Sequence, residues 1–220
     1  MRIRRKKDDA TTPEGVDAAG TGSEAAEEGA GDAQSAEVRA AGPLDVDEAE
    51  DGVERVDLGS LLVAPEAGRE LRLQVDERTN TVQAVLLASE DGAVEFRAFA
   101  APRNGDLWTE VRPQIAADMQ ARGGRTSERE GPFGIELVCT LPVQGEQENL
   151  VQPSRIVGVN GPRWLLRATF LGKPAMEPEA AAEWEDVLRR VVVRRGGAPM
   201  PVGEPLPLTL PDSARRVGPA

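Results

Sequence analysis

The 220-residue chain carries 38 acidic and 26 basic side chains for a formal charge of −12, and it contains no His, no Tyr and one Cys. Those absences exclude a His-based triad or proton shuttle, a Cys–His nucleophile and a zinc or iron centre built from His and Cys. What is left for chemistry is carboxylates, Lys, Arg and hydroxyls, and no spacing of these matches a known catalytic arrangement.

The acidity belongs to the N-terminus. Residues 1–54 hold 15 of the acidic and 6 of the basic side chains, a balance of −9, so residues 55–220 contribute only −3. From Asp8 to Glu54 the chain is mostly Ala, Gly, Asp, Glu, Ser and Thr. Such a segment buries too little apolar surface to offset the roughly 1–2 kcal/mol of backbone entropy per ordered residue. Residues 1–54 are therefore expected to be a disordered acidic tail, dispensable for folding. Their first seven residues, Met1-Arg-Ile-Arg-Arg-Lys-Lys7, form a basic head. It is either an electrostatic hook for anionic lipid or nucleic acid or, the plainer expectation, a solubilising terminus whose field the adjacent acidic run cancels. No apolar run reaches the 18–20 residues of a membrane span, and a lone Cys fits a reducing compartment, so a cytoplasmic protein is expected. A near-neutral remainder argues against a dedicated nucleic-acid binder.

Period two dominates after the tail. Leu71, Leu73 and Val75 alternate with Arg72 and Gln74, Asp76-Glu-Arg-Thr-Asn80 makes a turn, and residues 81–88 return as a second strand. Asp91-Gly92 then precedes a third strand carrying Val94, Phe96, Ala98 and Ala100. Asp106 is placed to cap a helix with Val111, Ile115 and Met119 on one face, although Pro113 suits only a first turn and suggests a later start. Gly123-Gly124 ends that helix. Gly131-Pro-Phe-Gly134 is a turn before a strand bearing Ile135, Leu137, Cys139 and Leu141, where Cys139 reads as a small buried hydrophobe. Residues 144–152 read as an exposed loop. Strands over 155–159 and 163–171 then flank the turn Asn160-Gly161-Pro162.

Glu177-Pro178-Glu179 starts a second helix with Trp184, Val187, Leu188 and Val191 on its apolar face. Val191-Val-Val193 fits either a helix end or a short strand. Residues 199–211 are expected to be extended, with Leu206, Leu208 and Leu210 on one side, and residues 212–220 to fray. The order predicts one α+β domain over 55–211, a mainly antiparallel twisted sheet covered by two helices. By element order it is comparable to a PsbP-like α/β/α sandwich.

The tempting motifs are modest. The two Gly-Pro turns before strands are ordinary turn chemistry, and neither Gly-Gly pair sits as a phosphate loop would. In a strand, Arg163 and Arg167 would face away from a core Trp164 and, with Arg155, line an outer strip for an anion or a partner; Arg103 is a fourth weak candidate. No catalytic residue, metal ligand or cofactor is assigned. Glu128/Glu130 and Glu146/Glu148 fall on edges or loops where nothing would raise a carboxyl pKa.

Several blocks resemble a family of uncharacterised proteins from high-GC Gram-positive bacteria that pair a charged, variable N-terminal tail with one domain of unknown function. They are Arg55-Val-Asp-Leu-Gly-Ser-Leu61, Phe99-Ala-Ala-Pro-Arg-Asn-Gly-Asp-Leu-Trp108, Gly131-Pro-Phe-Gly134, Gly158-Val-Asn-Gly-Pro-Arg-Trp164 and Leu206-Pro-Leu-Thr-Leu-Pro211. The resemblance covers roughly residues 43–211 and implies no activity. Where that family commonly has Asp before Gly-Pro-Arg-Trp, this chain has Asn160. The sequence is therefore read as a non-catalytic cytoplasmic domain that binds another macromolecule, with protein as the expected partner. The alternative is a small enzyme or ligand-binding domain that takes an anionic metabolite through Arg and carboxylates.

Overall fold

The computed structural model describes residues 42–143 and 150–211. Its centre is a seven-stranded antiparallel sheet, and the alternating runs of the sequence account for most of it. β4 (Glu70–Asp76), β5 (Thr81–Ala88) and β6 (Gly92–Ala100) form one meander, while β7 (Arg125–Gly131), β8 (Gly134–Pro142), β9 (Val151–Gly161) and β10 (Trp164–Gly172) form another. The two meet between β6 and β10, giving the order β4-β5-β6-β10-β9-β8-β7. β7, at one edge of the sheet, is mostly exposed and has no apolar alternation, so period alone gives it no signature, whereas β4 at the other edge keeps its alternation.

A smaller sheet, ordered β1-β11-β3-β2, joins four short strands: β1 (Leu44–Asp45), β2 (Val56–Asp57), β3 (Leu61–Val63) and β11 (Val192–Val193). The boundary expected after Glu54 thus falls inside the described fold. Leu44 and Asp45 pair in parallel with Val192 and Val193, although four of residues 45–50 are acidic. Residues 1–41, residues 144–149 of the expected loop and the expected C-terminal frayed end at 212–220 lie outside the described residues, while Val151 and Gln152, also expected in that loop, belong to β9. Val191-Val-Val193 is resolved in favour of a strand.

Three helices complete the described residues. α1 (Leu107–Ala121) starts at once after its cap: the Asp106 carboxylate accepts from the Thr109 backbone N–H, and Pro113 sits inside the helix, not in its first turn. An exposed helix tolerates the one lost backbone bond because its buried face is fixed by packing. α2 (Lys173–Met176) is a single turn, and α3 (Pro178–Arg189) has Pro at its first position as expected.

Each face of the large sheet has its own core. On one, Phe96, Trp164, Leu166 and Phe170 pack with the small sheet and with Trp184, Val187 and Leu188 of α3. On the other, α1 places Leu107 and Trp108 over Leu137, Cys139, Ile156 and Leu165. The fold is α+β and mainly antiparallel, with helices on both faces of the large sheet and the small sheet beside α3 on one of them. Cys139 is buried, and burial pushes its thiol pKa up, the behaviour of a small core residue.

A charged cleft between the β7–β8 turn and the α2–α3 corner

The four arginines singled out by sequence are not brought together. Arg103 is exposed in the loop between β6 and α1. Arg163 is not a strand residue: it has φ 64 and forms the β9–β10 turn, where its carbonyl accepts from the Ala101 backbone N–H at 2.9 Å and from Arg195 Nε at 3.1 Å. Arg167 does face away from Trp164. It stands over the Phe99 ring at 5.3 Å, opposite Arg97, and burial together with that second guanidinium pushes its pKa below the usual value. Arg155 is on the other side of the sheet, in line with Val157 and Val159, and 3% of its side chain is exposed. No outer strip forms.

Arg155 is instead the centre of an interior ion network. Its Nη2 donates to Glu185 Oε1 of α3 at 2.7 Å, its Nε lies 3.7 Å from Glu136 Oε2 of β8, and its guanidinium stacks over Phe170 at 4.3 Å. Glu136 is itself 1% exposed and takes a fork from Arg129, whose Nε and Nη2 both donate to Oε1 at 2.9 and 2.5 Å. The local folding explains the placement. β7 and β8 pair Arg129 directly across from Glu136, and β9 brings Arg155 beside them. A Cβ at Gly131 would stand 2.7 Å from the Glu136 carboxyl carbon, so any larger residue there has to move that carboxylate.

Two polar atoms of this network have no hydrogen-bond partner: Glu136 Oε2 and Arg155 Nε. At 3.7 Å they attract each other electrostatically, but the separation is too long for a hydrogen bond. The two atoms themselves are buried. The residues that carry them, Glu136 and Arg155, are among those lining a cleft of about 370 Å³, together with Pro132, Pro174, Met176 and Pro178. Its charged lining is unbalanced: Arg129 and Arg155 against Glu130, Glu136, Glu177 and Glu185. Met176 is 57% exposed at the mouth, an apolar side chain offered to solvent. Neither Glu136 nor Glu185 was legible as part of a site, because they lie 19 and 30 residues from Arg155 and each sits in a run that reads as a solvated face.

Asn160 has a structural task. Its Nδ2 donates to the Asp106 cap at 2.6 Å and its Oδ1 accepts from the Trp108 backbone N–H at 3.3 Å, which ties β9 to the start of α1. Burial raises the Asp106 pKa, but the hydrogen bonds from Thr109 and Asn160 outweigh it and hold the carboxyl below its usual range. Among the described residues no three His, Cys, Asp or Glu side chains converge as a metal site requires, and no helix is long and apolar enough to cross a membrane.

A family model described as a protein of unknown function, DUF3710, matches residues 42–217. The chain belongs to this family. The DUF3710 region begins at the first described residue, so β1 is part of it and the cleft lies wholly within it. No curated protein matches the chain. Among solved structures, a Bacteroides thetaiotaomicron protein aligns at 12% identity and a TM-score of 0.37, covering 64% of this chain and 48% of its own, so this chain spans about half of that one. A likeness of that size does not define the DUF3710 fold.

Proposed function

We propose that the protein is a non-catalytic binding module, active in the cytoplasm, that engages a partner protein by seating a basic side chain in the cleft between the β7–β8 turn and the α2–α3 corner. The observation that carries this reading is the buried Glu136 carboxylate, which has one oxygen with no hydrogen bond and only a 3.7 Å ion contact to Arg155, in a lining of four acids and two bases. A partner's Arg or Lys supplies the missing donor, exchanging with the half-exposed Arg129, while its neighbours pack on Met176 and the prolines. An anionic metabolite is the weaker occupant. To reach Arg155 it would have to displace the Glu185 carboxylate, and neither Arg103 nor Arg163 lines the cleft to help. The folded unit on this reading runs from 42 to 211, and the charged, variable tail expected from the family resemblance tunes its contacts.

Fluorescence anisotropy with a labelled heptapeptide of alternating Arg and Ala tests the proposal on the full chain. Saturable binding that weakens with salt is expected, as for any contact led by charge. Glu177→Lys, an exposed change at the rim, should weaken it about tenfold, the scale of one lost charge contact at an interface. Equal binding of an Asp/Ala heptapeptide, or indifference to Glu177→Lys, contradicts it.

A further inference from the structure

We infer that the cleft has an occupant within the same chain: the basic head, residues 1–7, which docks there and competes with outside partners. This rests on the cleft reading above and adds regulation to it. The head places five cations, Arg2, Arg4, Arg5, Lys6 and Lys7, around one aliphatic residue, Ile3. The cleft offers the complement, with an acidic excess in its lining, a Glu136 oxygen that has no hydrogen bond, and the exposed Met176 and Pro178.

The point where the described fold begins favours the same pairing. Gly42 packs so closely on the last turn of α3 that a Cβ there would lie 2.1 Å from the Arg189 carbonyl oxygen. Glu185 and Ala181, one and two turns back along the same helix, line the cleft. At 1.5 Å per residue they are roughly 6 and 12 Å from Arg189 along the axis. Residues 8–41 separate the head from that point, and a chain of this length reaches at most about 115 Å extended and spans roughly 30 Å as a coil. Reach therefore sets no limit, and tethering supplies an effective concentration in the millimolar range. The competing partner for the head is residues 8–41 themselves, which carry nine acidic side chains and one Arg.

The experiment uses full-length chains and, as probe, a labelled heptapeptide with the head's own sequence. One chain is the parent; in the other Arg2, Arg4, Arg5, Lys6 and Lys7 are each replaced by Gln. The replaced chain is expected to bind the probe about tenfold tighter or more, because its cleft is no longer filled from within. Adding Met176→Ala and Glu177→Lys, both exposed, should abolish that gain without touching the interior network. Equal affinity of parent and replaced chain overturns the docking of the head and leaves the cleft reading standing. A gain that survives the rim substitutions places the head on residues 8–41 and also overturns it. No binding to the replaced chain removes the cleft reading itself.

Discussion

Arg155→Ala is expected to lower the unfolding free energy by about 3–5 kcal/mol, the range for breaking a buried ion pair from one side. A domain of ordinary stability has roughly 5–15 kcal/mol in total, so the variant should be close to its folding limit. The cause is what remains behind. Glu185 loses its 2.7 Å donor, and Glu136, 1% exposed, keeps only Arg129. The Phe170 ring also loses the guanidinium that covers it. Removing all three charges together, as Arg155→Met with Glu136→Gln and Glu185→Gln, should recover much of the loss because no charge is then stranded in the interior. Urea unfolding followed by circular dichroism separates the two cases by their midpoints. A single variant as stable as the parent would show that the network is hydrated.

Trp164→Ala should cost a similar amount, about 3–5 kcal/mol, chiefly as cavity. Trp164 is 1% exposed, and its ring lies against Gly161, where a Cβ would be 2.0 Å from Cζ2. The ring has a polar partner that its sequence neighbourhood does not reveal: its indole N–H donates to Asp45 Oδ2 at 2.6 Å. Asp45→Ala alone should cost about 1–3 kcal/mol by leaving that donor buried and unsatisfied. The double variant should fall short of the sum of the two, since they share one bond. Additive losses would mean that Asp45 and Trp164 are not coupled. Because of the same bond, a chain starting at residue 55 is expected to be less stable than one that keeps β1, and thermal unfolding of the two checks it.

Asp45 shows why part of the fold was hidden from the sequence. β1 and β11 are two residues each, shorter than any hydrophobic period, and their pairing joins positions nearly 150 residues apart. By contrast β4, β5, β6, β8 and α3 were readable because the apolar residues of each concentrate on one face and the alternation or helical stripe records it. Arg155 sits between those cases. Its spacing from Val157 and Val159 places it on the core face, but an Arg in a strand reads as solvated until its counter-ions are found. Those counter-ions come from β8 and α3, and the register and helix placement that bring them in are tertiary facts. Arg167 followed the parity rule and faces away from Trp164, whereas Arg163 did not, because the turn takes it into the left-handed region.

The central claim, that the cleft receives a basic side chain, is tested most directly by carbon-13 methyl NMR of the four methionines. Met176 lines the cleft, and Met119, a residue of α1, packs on the core at the other side of the sheet. Titrating the full chain carrying Gln at 2, 4, 5, 6 and 7 with an Arg/Ala heptapeptide should move the Met176 methyl signal to saturation and leave Met119 in place. A Met176 signal that stays fixed while the peptide binds would put the binding site elsewhere and contradict the claim.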